Sequence, residues 1–112
     1  MNTASGLTSK RCKPCANGTP PLTNAEADSL MRQLDGWQRY DRLISRTYQF
    51  KDYYQTIAFV NAVAWLSHCE DHHPELTVTY NSFQVEYTTH SVHGLSENDF
   101  ICAAKVDALF KI

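Results

Sequence analysis

Two adjacent imidazoles followed by a proline, in Glu70-Asp71-His72-His73-Pro74, are the residues of this chain best suited to chemistry. A third imidazole, His90, follows Thr88-Thr89. Imidazole can both give and take a proton near neutral pH, so three of them at the ends of regular elements point to general acid and base work. Proline biases the residue before it away from helical geometry, so His72 and His73 are expected to project differently, one from a last helical turn and one from its exit. The bland alternative is a histidine that serves only as a cation at a helix C-terminus. His93, before Gly94 in a loop, is assigned to that class.

The elements that must position these groups are legible in outline. Thr23-Asn24-Ala25-Glu26 is a capping box that opens a first helix, with Leu30, Met31 and Leu34 on its apolar side and Gly36 placed to end it. Trp37 to Tyr40 and Leu43 to Phe50 read as short strands around Asp41-Arg42, the second with Ile44, Tyr48 and Phe50 on one face. Arg46 shares that face, so its outer end is expected to be exposed. Asp52 to Gln55 caps a long helix that runs without Gly or Pro as far as Pro74. Ile57, Val60, Val63 and Ala64, flanked by Tyr53 and Phe59, are expected to pack on the sheet, while Tyr54, Ala58, Asn61, Trp65, His68 and His72 form a second stripe.

A hairpin should follow, with Leu76, Val78 and Tyr80 alternating with threonines, Asn81-Ser82 as the turn, and Phe83, Val85 and Tyr87 returning. The last helix runs from Ser96 to about Lys111, with Asp99 placed to cap it and Leu95 with Phe100 as a hydrophobic staple. The order helix, strand, strand, helix, strand, strand, helix predicts an α+β sandwich of two layers: a four-stranded antiparallel sheet with three helices on one face.

Bulk properties narrow the function classes. A chain of 112 residues with formal net charge −2 fits one domain and offers no basic footprint for direct nucleic acid binding. No apolar run is long enough to span a membrane and the start lacks a secretory signal, so a cytoplasmic protein is expected. Of the four cysteines only Cys12 and Cys15 have CxxC spacing, and with no second pair to complete a tetrahedral site no metal is expected. Residues 1–21 read as an irregular arm carrying this CxxC, and residues 22–112 as the domain proper.

With these residues in hand, the chain resembles the pterin-4a-carbinolamine dehydratases, also called 4a-hydroxytetrahydrobiopterin dehydratases. The resemblance rests on His72-His73-Pro74-Glu75, the hairpin around Tyr80-Asn81, Thr89-His90, Gly94-Leu95-Ser96 and Asp99, in this order and at these intervals. It covers the chain from about Pro21 onward. What it implies is removal of water from a 4a-hydroxy-tetrahydropterin to give a quinonoid dihydropterin, without a cofactor, in the recycling of the pterin used by aromatic amino acid hydroxylases. One departure stands out: His68 occupies a position, one helical turn before His72, where the family pattern often carries a glutamate.

By the resemblance His72, His73 and His90 are the catalytic candidates, His73 and His90 for direct proton transfer and His72 for orientation or a share in it. Asp71, Thr88, Thr89, Asp99 and His68 are candidates for binding or orienting the pterin. Asp99 has two readings of equal weight, a helix cap and a hydrogen-bond acceptor that fixes an imidazole tautomer. The expected partners are the pterin and further copies of the chain, as homodimer or homotetramer. A rival of another class is a non-catalytic pterin-binding or dimerisation module, which turnover would distinguish.

Overall fold

Side-chain caps fix where the helices start. In the computed structural model, which describes residues 5–111, Thr23 and Glu26 form the reciprocal capping box of α2 (Asn24–Met31), with the Thr23 N–H donating to Glu26 Oε1 at 2.8 Å and the Glu26 N–H to Thr23 Oγ1 at 3.2 Å. Asp52 caps α3 (Tyr53–Glu70) by accepting from the Gln55 N–H at 3.0 Å. The last helix, α4, spans Glu97–Phe110. The first helix ends earlier than its periodicity predicts, at Met31, and the chain reaches Gly36, with φ +83°, through two tight turns.

Between the helices lie β1 (Gln38–Tyr40), β2 (Leu43–Gln49), β3 (Glu75–Val78) and β4 (Ser82–Tyr87). All pairings are antiparallel, in the spatial order β1-β2-β4-β3, so the two hairpins join through their inner strands. Ile44 pairs with Tyr87 and Tyr48 with Phe83, and these four side chains with Val85 are buried. Opposite them α4 buries Phe100, Ile101, Ala103, Ala104 and Val106. The two-layer α+β sandwich expected from the element order is the observed fold.

Three local expectations need correction. The buried residues of α3 are Thr56, Phe59, Val63 and Ser67, whereas Tyr53 and Ala64 of the expected stripe are exposed. The two buried hydroxyls face inward at little cost because Thr56 Oγ1 donates to the Asp52 carbonyl at 2.9 Å and Ser67 Oγ to the Val63 carbonyl at 2.8 Å. The second hairpin pairs Val78, not Tyr80, with Phe83. A Thr79–Ser82 closure, in which the Thr79 N–H donates to the Ser82 carbonyl at 2.9 Å, leaves Tyr80 in the loop. The shift is by two residues, so every side chain keeps its face.

Arg46 is not directed outward. Its Nη1 donates to Asp107 at 2.8 Å and its guanidinium lies 4.4 Å above the Tyr48 ring. Within the arm, α1 (Ser5–Thr8) packs on α4 and buries Leu7. Gly94 lets the end of the arm pack closely, since a β-carbon there would meet Pro21 Cβ at 2.9 Å.

Candidate active site

The end of α3 delivers the first histidine. The helix stops at Asp71, which adopts a left-handed conformation (φ 52°), and the amides of Asp71 and His72 both close on the Ser67 carbonyl. His72 therefore lies beyond the helix, not on the stripe that runs through His68, because aspartate tolerates the left-handed turn and ends the helix before Pro74 has to. His73 follows, exposed, directly before Pro74.

At the start of α4, Asp99 is fully buried and divides its two oxygens. Oδ1 lies 2.6 Å from His72 Nε2, while Oδ2 accepts from Thr89 Oγ1 at 2.9 Å and from the Ser96 N–H at 2.9 Å. The helix cap and the imidazole's neighbour are thus the same carboxylate. Thr89 Oγ1 also bonds Ser96 Oγ at 2.7 Å, which ties the strand exit to the helix start. The His72 ring is stacked on Tyr87, centroids 5.7 Å apart and planes 9° from parallel. With a carboxylate on Nε2, the neutral imidazole carries its proton there and its lone pair on Nδ1.

His72 and Thr89 border a cavity of about 220 Å³. Its wall on the domain side is Glu70, Asp71, His72, Thr89, Ser91 and Asn98, and on the other side the arm residues Cys12 to Cys15. His72, Asp71 and Thr89 are brought together here, with Asp99 behind His72. His90 is exposed and opens a short 3-10 turn (His90–Val92), whose end is marked by left-handed His93. Thr88 turns its hydroxyl to the carbonyls of Arg42 and Gly94, away from this cavity. His68 lies exposed on α3 with its ring 5.1 Å from that of Trp65 and does not line this cavity.

Sequence reasoning missed the arm side of the cavity and two of its anchors. Glu70 accepts from the Cys12 N–H at 2.9 Å and pairs with Lys105 at 2.7 Å. Burial alone would raise the Glu70 carboxyl, but those two donors outweigh it and hold it below the ordinary range. Asn98 receives the Lys13 N–H on Oδ1 at 3.0 Å and returns Nδ2 to the Lys13 carbonyl at 2.6 Å. The signal available in sequence was slight: Asn98 and Asp99 are consecutive polar residues leading into an apolar helix. Tyr87 Oη is buried with no hydrogen-bond partner among the described residues, and burial drives its phenol well above the usual value. No group of His, Cys, Asp and Glu among the described residues is arranged to hold a metal ion.

A family model described as pterin 4 alpha carbinolamine dehydratase matches residues 20–109. A protein of Nitrosospira multiformis provisionally named as a pterin-4-alpha-carbinolamine dehydratase is 62% identical over 110 residues, which are 98% of this chain and 97% of that one. One of Nitrosomonas europaea with the same provisional name is 61% identical over 112 residues, 99% of each chain. Among solved structures, a Brucella melitensis protein described as a transcriptional coactivator/pterin dehydratase superposes with TM-score 0.76 at 36% identity, covering 80% of this chain and 97% of that one. A pterin dehydratase-like RuBisCO assembly factor of the alpha-carboxysome gives TM-score 0.55 at 27% identity, covering 65% and 84%.

Proposed function

The chain belongs to the pterin 4 alpha carbinolamine dehydratase family, and we propose that it eliminates water from a 4a-hydroxy-tetrahydropterin, giving a quinonoid dihydropterin. The observation that carries this reading is the His72–Asp99 pair on a small cavity, a titratable imidazole whose orientation a buried carboxylate fixes. Elimination makes two proton demands. An acid protonates the departing 4a-hydroxyl while the N5 lone pair expels it, and a base then takes the N5 proton.

His73 and His90 are assigned to these transfers and His72 to orienting the ring or sharing one of them. Asp71 and Thr89 supply polar contacts from the cavity wall, whereas Thr88 and His68, the other orienting candidates, lie off it. The family's link to aromatic amino acid hydroxylases makes cofactor recycling the role proposed. Exposed Leu76 and Val78 on edge strand β3, with Tyr54 and Trp65 exposed on α3, favour a homo-oligomer. The same surface favours the second reading, an interaction module, as the RuBisCO assembly factor illustrates for another protein of this fold.

The test is absorbance-followed dehydration of freshly generated 4a-hydroxy-tetrahydropterin by the purified protein. His73→Ala and His90→Ala are each expected to lower turnover by about 10² to 10⁴, the range for loss of a general acid or base, with unchanged folding. Folded wild-type protein that gives no acceleration would leave the interaction module as the function.

A further inference from the structure

The dehydration makes no use of Cys12-Lys13-Pro14-Cys15, yet the fold holds this motif firmly. Leu7 is buried, Lys10 pairs with Glu97 at 2.7 Å, Glu70 takes the Cys12 amide, and Asn98 bonds both polar groups of the Lys13 backbone. These anchors bring Cys12 Sγ to 3.4 Å from Sγ of Cys102, a residue of α4 that lies one turn beyond Asp99. Cys15 is turned elsewhere: its sulfur lies 3.7 Å from the Lys13 carbonyl oxygen and 3.5 Å from Asn98 Nδ2. All four cysteines are free thiols.

Two cysteines in contact are often no more than packed apolar groups. What sets this pair apart is asymmetric access, since Cys12 lines the cavity and is half-buried while Cys102 is closed off beneath it. A reagent that enters the cavity meets one sulfur with the second directly behind.

We infer that Cys12 and Cys102 are a thiol modification site, which a low-molecular-weight disulfide oxidises to an intramolecular bond that fastens the arm to α4 beside the histidine cavity. In the first step the Cys12 thiolate attacks one sulfur of the reagent, the reagent's S–S bond breaks, and its first thiolate leaves. In the second the Cys102 sulfur, on losing its proton, attacks the Cys12 sulfur and expels the second reagent thiolate, which takes up that proton. Two protein thiols are oxidised by two electrons and one external disulfide is reduced to two thiols. The sulfurs must close from 3.4 Å to about 2.0 Å, the length of a disulfide bond. In the reduced pair the contact with Cys12 and burial both push the Cys102 thiol up.

The full-length chain carrying Cys15→Ser and Cys69→Ser retains just these two thiols. It is incubated with oxidised glutathione, quenched with N-ethylmaleimide and weighed intact after denaturation. The expected species carries no maleimide and no glutathione, is lighter by two hydrogens, and gains two maleimides after reduction. Peptide mapping of the oxidised wild type should give the Cys12–Cys102 link with Cys15 and Cys69 alkylated. Two alkylated thiols, a lasting glutathione adduct on Cys12, or a Cys12–Cys15 link in the wild type would each overturn the assignment. Mass is independent of turnover, so the dehydratase reading and this site fail or stand separately.

Discussion

Two buried aspartates lie at opposite ends of α4, and they are in different trades. Asp107 accepts from Trp37 Nε1, Arg46 Nη1 and Tyr48 Oη, donors that keep their protons across the working pH range. The Tyr48 phenol is pushed well above its usual value by burial and by Asp107 itself. Asp99 also has three donors, but one is an imidazole that borders a cavity. A carboxylate among permanent donors is a structural tie; one facing a titratable ring beside open space can steer a proton. The difference lies in the partners and in access, since both residues are buried.

That contrast can be broken first at the structural end. Asp107→Ala should cost about 3–5 kcal/mol of stability, because it leaves Arg46 without its buried counter-charge, and the urea midpoint reads this directly. Asp99→Asn should act mainly on catalysis. Its amide keeps the size and one acceptor but offers an N–H where His72 needs a carboxylate, and turnover should fall by about 10²-fold. Its stability cost should stay within about 1–3 kcal/mol, the scale of one compromised buried hydrogen bond. If Asp99→Asn proved as destabilising as Asp107→Ala while its turnover survived, the two ends of α4 would be alike.

The smallest effect sharpens the picture of the arm. Glu70 titrates below the ordinary carboxylate range in the folded chain, so its stabilisation is complete above the unfolded value. On acidification the unfolded state binds the proton first, and the contribution is lost as pH falls through the lower folded value. Wild type and Glu70→Gln should therefore differ by about 1 kcal/mol at neutral pH, with the gap in urea midpoints closing in acid. A gap that widened on acidification would refute the assignment of Glu70 as a charged anchor.

Misreadings of the sequence trace to specific physics. The outer face of β4 alternates cleanly with its buried Phe83, Val85 and Tyr87, so the hairpin's faces were legible even though the turn was misplaced by a pair of residues. Helix α3 is apolar around most of its circumference, and no single phase stands out in its sequence. Thr56 and Ser67 conceal their polarity by bonding to their own helix, and contact with α4 selects the face that carries them. Arg46 was read as outward because its partner Asp107 is 61 residues away.

Local chemistry therefore determined a great deal. The caps of three helices, the strand parity and the proline after His72-His73 are all functions of near neighbours, where a few side chains decide the backbone. Tertiary structure alone decided that Asp99 would serve helix and histidine at once, that left-handed Asp71 would carry His72 to it, and that the CxxC arm would wall the cavity. Those outcomes depend on pairings such as Cys12 with Glu70 and Lys13 with Asn98, 58 and 85 residues apart. No local propensity encodes such contacts, because their free energy appears only after the sheet and α4 have brought the segments together.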